Sequence, residues 1–226
     1  MRIVRNASIG LAVFGCCAFL AVSQAAELVS PRSSQPDFRQ ATWGMIREQV
    51  QATEAANPRE IRESNSEVLV RYDSLELGKL PCRVVYIFAN DKLVRAKYVF
   101  DAEHGEPNDF IRDYRAIEPL LHEQYGNPAS ERAFWLDDSL QDEPKAYLDQ
   151  DRASSIDILP SDPFAGPSIL AGYLKLYTRW QGNRTKISHG LTGGSIGADS
   201  RITHQIEFLS VELEGLEDAV RGTSPN

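Results

Sequence analysis

Four histidines, His104, His122, His189 and His204, are the first residues to test for chemistry. A hydrolase needs a nucleophile whose base is held by a third group. None of the four lies in a Gly-x-Ser-x-Gly or His-Glu-x-x-His setting. His104 falls in a turn and His122 late in a helix. His189 and His204 fall on neighbouring predicted strands and could meet as a metal pair. Without a third ligand, two polar residues on the wet face of a sheet are the plainer expectation. Asp149 with Asp151, and the run from Asp137 and Asp138 to Asp142 and Glu143, have the charge to attract Ca²⁺. They lack the glycine and terminal glutamate of a calcium loop and read as a solvated acidic loop. Gly193, Gly194 and Gly197 match a phosphate cradle in glycine count alone, because they precede a strand and not a helix N-terminus. Asn183-Arg184-Thr185 matches a glycosylation acceptor but falls in a tight turn. Trp43, Trp135 and Trp180 read as core aromatics. No metal and no cofactor is expected.

Compartment and charge narrow the function further. Residues 1–6 carry Arg2 and Arg5, residues 9–22 are apolar but short for a membrane span, and Ser23 and Ala25 are small residues at cleavage-site spacing. Residues 1–25 therefore read as a secretory signal peptide cut after Ala25, leaving no transmembrane anchor. Cys16 and Cys17 leave with it, so the mature chain keeps Cys82 alone, at the start of an apolar strand, where it is expected to be buried and unpaired. Losing two arginines from a chain of net charge −8 leaves −10. Such an acidic chain is a poor partner for nucleic acid, but its charge does not argue against protein partners.

The positioning elements follow from periodicity. Residues 26–37, with Pro31 and Pro36, read as a flexible lead-in. A short helix is expected over 46–55, stopped by Asn57-Pro58. Residues 67–73 alternate as a strand with one wet face, and residues 80–100 form a hairpin broken at Asn90-Asp91. A two-residue loop there would pair Tyr86 with Arg95. A three-residue loop pairs Phe88 with Val94, Tyr86 with Ala96 and Val84 with Tyr98, keeps apolar residues together, and is the expected register. Phe110, Tyr114, Ile117 and Leu121 share a helix face capped by Asn108 or Asp109, with Pro119 expected to kink or split the helix. Residues 131–162 are acidic and loop-like, with a short apolar strand at 156–159. Residues 169–171 read as helical. A strand over 174–181, a turn at Gly182-Asn183 and a return strand over 184–191 follow. Residues 192–200 read as a glycine-rich loop. The final strand, 202–213, changes the phase of its apolar residues, which suggests a β-bulge or a bend. The fold class is α+β: antiparallel sheets with a few short helices, divisible into a helix-plus-three-strand unit over 38–105, a helix-plus-strand unit over 106–214 packed with it, and a tail over 215–226.

Trp43-Gly44-Met45, with Glu48-Gln49-Val50 and a following meander, resembles the opening of BamE/SmpA-type outer-membrane assembly proteins. Ile46 stands where that family usually has a capping Ser or Thr. The β-lactamase inhibitory proteins look like two such helix-and-sheet units in tandem. The resemblance covers residues 38–100 and implies a tandem fold with an open sheet that grips another protein. The expected function is a non-catalytic, exported protein-binding module of the cell envelope, periplasmic or secreted, whose partner is another envelope or secreted protein. A secreted enzyme or enzyme inhibitor with a site assembled from scattered residues is the alternative. The candidate binding residues are Arg71, Arg95 and Lys97, three cations expected on one wet sheet face, where charge reversal would leave stability nearly unchanged.

Overall fold

In a computed structural model, residues 35–64, 67–135, 161–196 and 199–216 are described. The sequence readings at 1–25, 137–151 and 156–159, and the tail beyond residue 216, lie outside them. The elements run α1 (Arg47–Thr53), β1 (Glu60–Ser64), β2 (Glu67–Leu77), β3 (Leu80–Ala89), β4 (Lys92–Phe100), α2 (Pro107–Tyr125), β5 (Ser130–Trp135), α3 (Ala165–Leu170), β6 (Leu174–Gln181), β7 (Thr185–Ile196) and β8 (Asp199–Ser210). The strands form one eight-stranded antiparallel sheet in the order β1-β2-β3-β4-β8-β7-β6-β5. Two meanders, β1 to β4 and β5 to β8, thus meet where β4 pairs with β8. The α+β class follows directly.

The central hairpin combines both registers considered from the sequence. Its tip is a two-residue turn, Asn90 and Asp91, both at positive φ (48° and 60°) as a twisted hairpin requires. Next to it Phe88 pairs with Leu93, not Val94; a bulge then moves the register so that Tyr86 faces Ala96 and Val84 faces Tyr98. The bulge allows consecutive Leu93 and Val94 both to be buried. The Leu93 backbone is also tied to the Trp-Gly-Met stretch, donating to the Met45 carbonyl at 2.9 Å and accepting from Gly44 N–H at 2.9 Å.

Other expectations need correction. β1 and β5 were not legible as strands, because β1 is almost wholly exposed and β5 carries weak alternation. Helix α2 begins after Glu106 with Pro107 in its first turn, not at an Asn108 or Asp109 cap, and it runs unbroken through Pro119. Its Ile111, Tyr114, Ile117 and Leu121 are buried, so packing outweighs the one backbone bond that proline removes. The β6–β7 turn is Asn183-Arg184, one residue later than expected, because Gln181 pairs with Lys186. β7 continues through the glycines instead of looping out. A Cβ on Gly193 would come within 1.7 Å of the Ile169 carbonyl oxygen, so the missing side chain lets α3 pack directly on the strand. Of the bulge or bend expected in the final strand, the bulge is absent, since the register of β8 with β7 is continuous from Asp199 to Ser210; the strand ends there and the chain bends at Val211.

All three helices pack on one face. Tyr72, Val84, Tyr86, Phe208 and Ile187 form one core with Phe38, Val50 of α1 and Ile117 of α2. Leu174, Leu176 and Leu191 form a second with Tyr114 of α2 and Ile169 of α3. The first core draws side chains from both meanders, so the two do not bury separate interiors.

Candidate functional site

Direct cross-strand partners project to the same side of a sheet. The registers therefore line up Arg71, Val85, Lys97, Glu207, Ser188 and Arg179 on the face opposite the helices. A parallel row holds Leu69, Ile87, Arg95, Leu209 and Lys186. Among the described residues, no helix or strand covers this face. It is the candidate site, and it contains all three cations singled out from the sequence.

The structure changes what those cations are. Arg71 lies 2.6 Å from Glu60 and 2.9 Å from Asp73. Lys97 lies 2.7 Å from Glu207, and Arg95 3.1 Å from the same carboxylate and 3.9 Å from Glu67. Three cations thus meet four carboxylates, and the cluster carries no positive excess. Burial alone would push the Glu207 carboxyl up, but Lys97 and Arg95 outweigh it and hold it below the usual carboxylate value. Only 12% of the Arg95 side chain and 21% of the Lys97 side chain are exposed, so reversing them would strand Glu207 and is not neutral for stability.

Across β4–β8 the same face changes character. Lys175, Tyr177 and Arg179 alternate along β6 against the buried Leu174, Leu176, Thr178 and Trp180. Tyr177 packs edge-on to Phe134 at 5.9 Å and carries the Arg179 guanidinium 5.6 Å from its ring centre. Arg201 pairs with Gly194 on the same side. These residues were missed, although the alternation through 174–180 was readable; Arg201 was hidden by the loop expected at 192–200.

Beneath the opposite face sit the residues with catalytic potential. His189 and His204 do meet, with their Nε2 atoms 2.8 Å apart, but they face the core and not water. This corrects the wet-face expectation. His189 is wholly buried and stacked on Tyr114, and His204 is stacked on Phe100. Burial, with the neighbouring His204 and Arg115, holds His189 well below its usual value, and burial chiefly takes His204 down to about 3. Both rings are neutral at physiological pH, one Nε2–H donating to the other Nε2. Neither Nδ1 has a hydrogen-bond partner among the described residues. Tyr114 Oη and Thr178 Oγ1 are 2.8 Å apart, and the threonine donates to Glu118 at 3.1 Å. Among the described residues, no three His, Cys, Asp or Glu side chains converge as a metal site. His104 is held by Asp113 and His122 stands near Glu131, both away from a nucleophile. Cys82 is a free thiol, 1% exposed, and burial pushes it up to about 11, far from a reactive thiolate.

A second polar cluster lies under β3 and β4. Arg39 makes a two-pronged contact with Glu54 at 2.9 and 3.0 Å, and the Tyr86 hydroxyl donates to the same carboxylate. A cavity of about 670 Å³ opens beside it, lined by Phe38, Arg39, Tyr98, Leu121, Tyr125 and Phe208. Gln35, Asp37, Gln40 and Gln124 also line it, so the wall mixes aromatic rings with amides and a carboxylate, and its one cation, Arg39, is already paired with Glu54.

No family model matches the chain, and neither a curated protein nor a solved structure matches it. Among the described residues, no helix is long and apolar enough to cross a membrane.

Proposed function

We propose that the protein is an exported envelope protein, periplasmic or secreted after cleavage near Ala25, that binds another envelope or secreted protein through the helix-free face of its sheet and catalyses no reaction. One observation carries this reading: eight paired strands present Leu69, Val85 and Val99 beside ion pairs and the Tyr177–Phe134 aromatic pair, with no described element packed over them. A face of mixed aliphatic, aromatic and paired charged groups has the composition of a protein interface. The ion pairs of Arg71, Arg95 and Lys97 would set register and exclude mismatched partners, and would contribute little long-range attraction. The buried histidines support the non-catalytic reading, since a general base must reach its substrate.

The chain is read as two tandem helix-plus-meander units, as the resemblance to the β-lactamase inhibitory proteins implies. The element order supports this: α1 precedes β1 to β4, and α2 precedes β5 to β8. A photocrosslinking side chain placed at Val85 or Val99, and in separate variants at Arg112 on the exposed side of α2, tests the function in the envelope fraction. A discrete crosslinked partner is expected from the sheet positions and not from Arg112, on a chain whose intact mass begins after Ala25. Crosslinks from Arg112 alone, or none from the sheet positions, would remove this face as the working surface.

A further inference from the structure

We propose that Lys175, Tyr177, Arg179 and Arg201 form a docking strip for an extended acidic segment of a partner protein, in which carboxylates flank an apolar side chain. The inference rests on the protein-binding reading above and narrows it to one half of the face and one partner chemistry.

The two halves of the face differ in charge balance. In the first meander Arg71, Arg83, Arg95 and Lys97 are each matched by a neighbouring carboxylate. In the second, Lys175, Arg179 and Arg201 have no carboxylate partner among the described residues. Among the described side chains of β5 to β8, Glu207 is the single acid on this face, and it is engaged by Lys97 and Arg95. A positive strip therefore stands on a chain of net charge −8. Such a local reversal of sign selects a partner by its local charge.

The geometry of the strip specifies the occupant further. Lys175, Tyr177 and Arg179 are alternate residues of one strand, so they repeat at about 7 Å along it. Alternate side chains of an extended peptide repeat at the same spacing, which places acid, apolar residue and acid opposite cation, ring and cation. The ring is fixed in place: a Cβ on Gly190 would come within 2.9 Å of Tyr177 Cε1, so Tyr177 lies directly over that glycine. Phe134, 37% exposed, extends the apolar contact toward β5. Ser188 and Thr192, beside Gly190, are short and keep the floor low enough for a backbone to approach. A nucleic acid would also meet cations and rings here, but its unbroken phosphate charge would face an acidic molecule. A peptide needs only two carboxylates.

A random decapeptide library displayed on phage, selected on the wild-type protein and on the Lys175→Glu, Arg179→Glu double variant, tests the proposal. Enrichment of Asp or Glu at two positions four apart, with an apolar residue midway, is expected on the wild type. The selected peptides should bind the double variant about tenfold or more weakly, since reversal places like charges in contact. The Lys175→Gln, Arg179→Gln variant replaces it if reversal disturbs folding, with matched thermal melting as the control. Peptides enriched without acids, or retained equally by the variant, overturn the acidic strip and leave the protein-binding reading standing. No enrichment anywhere removes both. Displacement of the selected peptides by a single-stranded oligonucleotide that binds more tightly assigns the strip to nucleic acid and overturns the proposal.

Discussion

Under β3 and β4, Glu54 meets the Arg39 guanidinium and the Tyr86 hydroxyl; under β6 to β8, Tyr114 and Thr178 meet a pair of stacked imidazoles. Both clusters lie between sheet and helices, yet they tolerate burial in opposite ways. The first keeps its charges and neutralises them by direct pairing, at a place where 28% of the Arg39 side chain still reaches water. Burial alone would lower the Arg39 value, but Glu54 outweighs it and raises it, while burial and Glu54 together push the Tyr86 hydroxyl up. The second is sealed and its histidines give up charge: both are neutral, hydrogen-bonded to each other and stacked on the Tyr114 and Phe100 rings. The difference teaches that a buried group keeps its ionised form only where a counter-charge touches it; otherwise its protonation equilibrium shifts to the neutral form.

The pair of histidines gives the largest expected effect. Their folded values lie below the usual 6.5, so the unfolded chain takes up protons that the folded chain refuses. Stability is therefore complete above about pH 6.5 and falls as the pH drops toward the folded values. Lowering the pH from about 7.5 to about 5 should cost about 4 kcal/mol from the two groups together, at about 1.4 kcal/mol per pH unit for each once the unfolded chain is protonated. Urea unfolding across that range measures it. The His189→Gln, His204→Gln double variant should lose this part of the pH dependence whatever its own stability. An unchanged pH slope would show that the imidazoles are not sealed.

Breaking the charged cluster comes next. Glu54→Gln leaves Arg39 without its counter-charge and weakens the acceptor of Tyr86. Removing one partner of a buried pair costs about 3–5 kcal/mol, and the partial exposure of Arg39 reduces the expected loss to about 2–3 kcal/mol. The unfolding midpoint in urea reads this out. A loss under about 1 kcal/mol would make the pair equivalent to a surface salt bridge and erase the contrast between the clusters.

The smallest effect sharpens the account of the sealed cluster. Tyr114→Phe keeps the ring stacked on His189 and removes only the hydroxyl shared with Thr178. A loss of about 1 kcal/mol is expected, because Thr178 keeps Glu118 as a partner. A loss of about 3 kcal/mol, seen as a larger fall in the unfolding midpoint, would mean that the hydroxyl also organises the histidine pair.

Much of the fold is legible in local pattern. β2, β3, β4 and β6 alternate or run apolar over enough residues to declare their faces, and α2 repeats its buried positions every three or four residues; each signal arises within one element. The burial of the histidine pair is also legible in the pattern. His189 shares parity with Ile187 and Leu191, and His204 with Ile202 and Ile206, so alternation already assigned both to the apolar side.

By itself, then, the sequence determined the α+β class, the buried side of the clearly alternating strands β2, β4 and β6, and the placement of Arg71, Arg95 and Lys97 on one face, because side-chain direction follows from the period of the backbone. Tertiary structure alone decided the bulge after Leu93, where backbone bonds to Gly44 and Met45 fix a register that neither simple turn would give. It alone turned the glycines of β7 from a loop into a seat for α3. It also decided which cations are neutralised, since Glu207 reaches Lys97 and Arg95 from a strand more than a hundred residues away. Charge pairing depends on distance in space, and composition along the chain does not carry that distance.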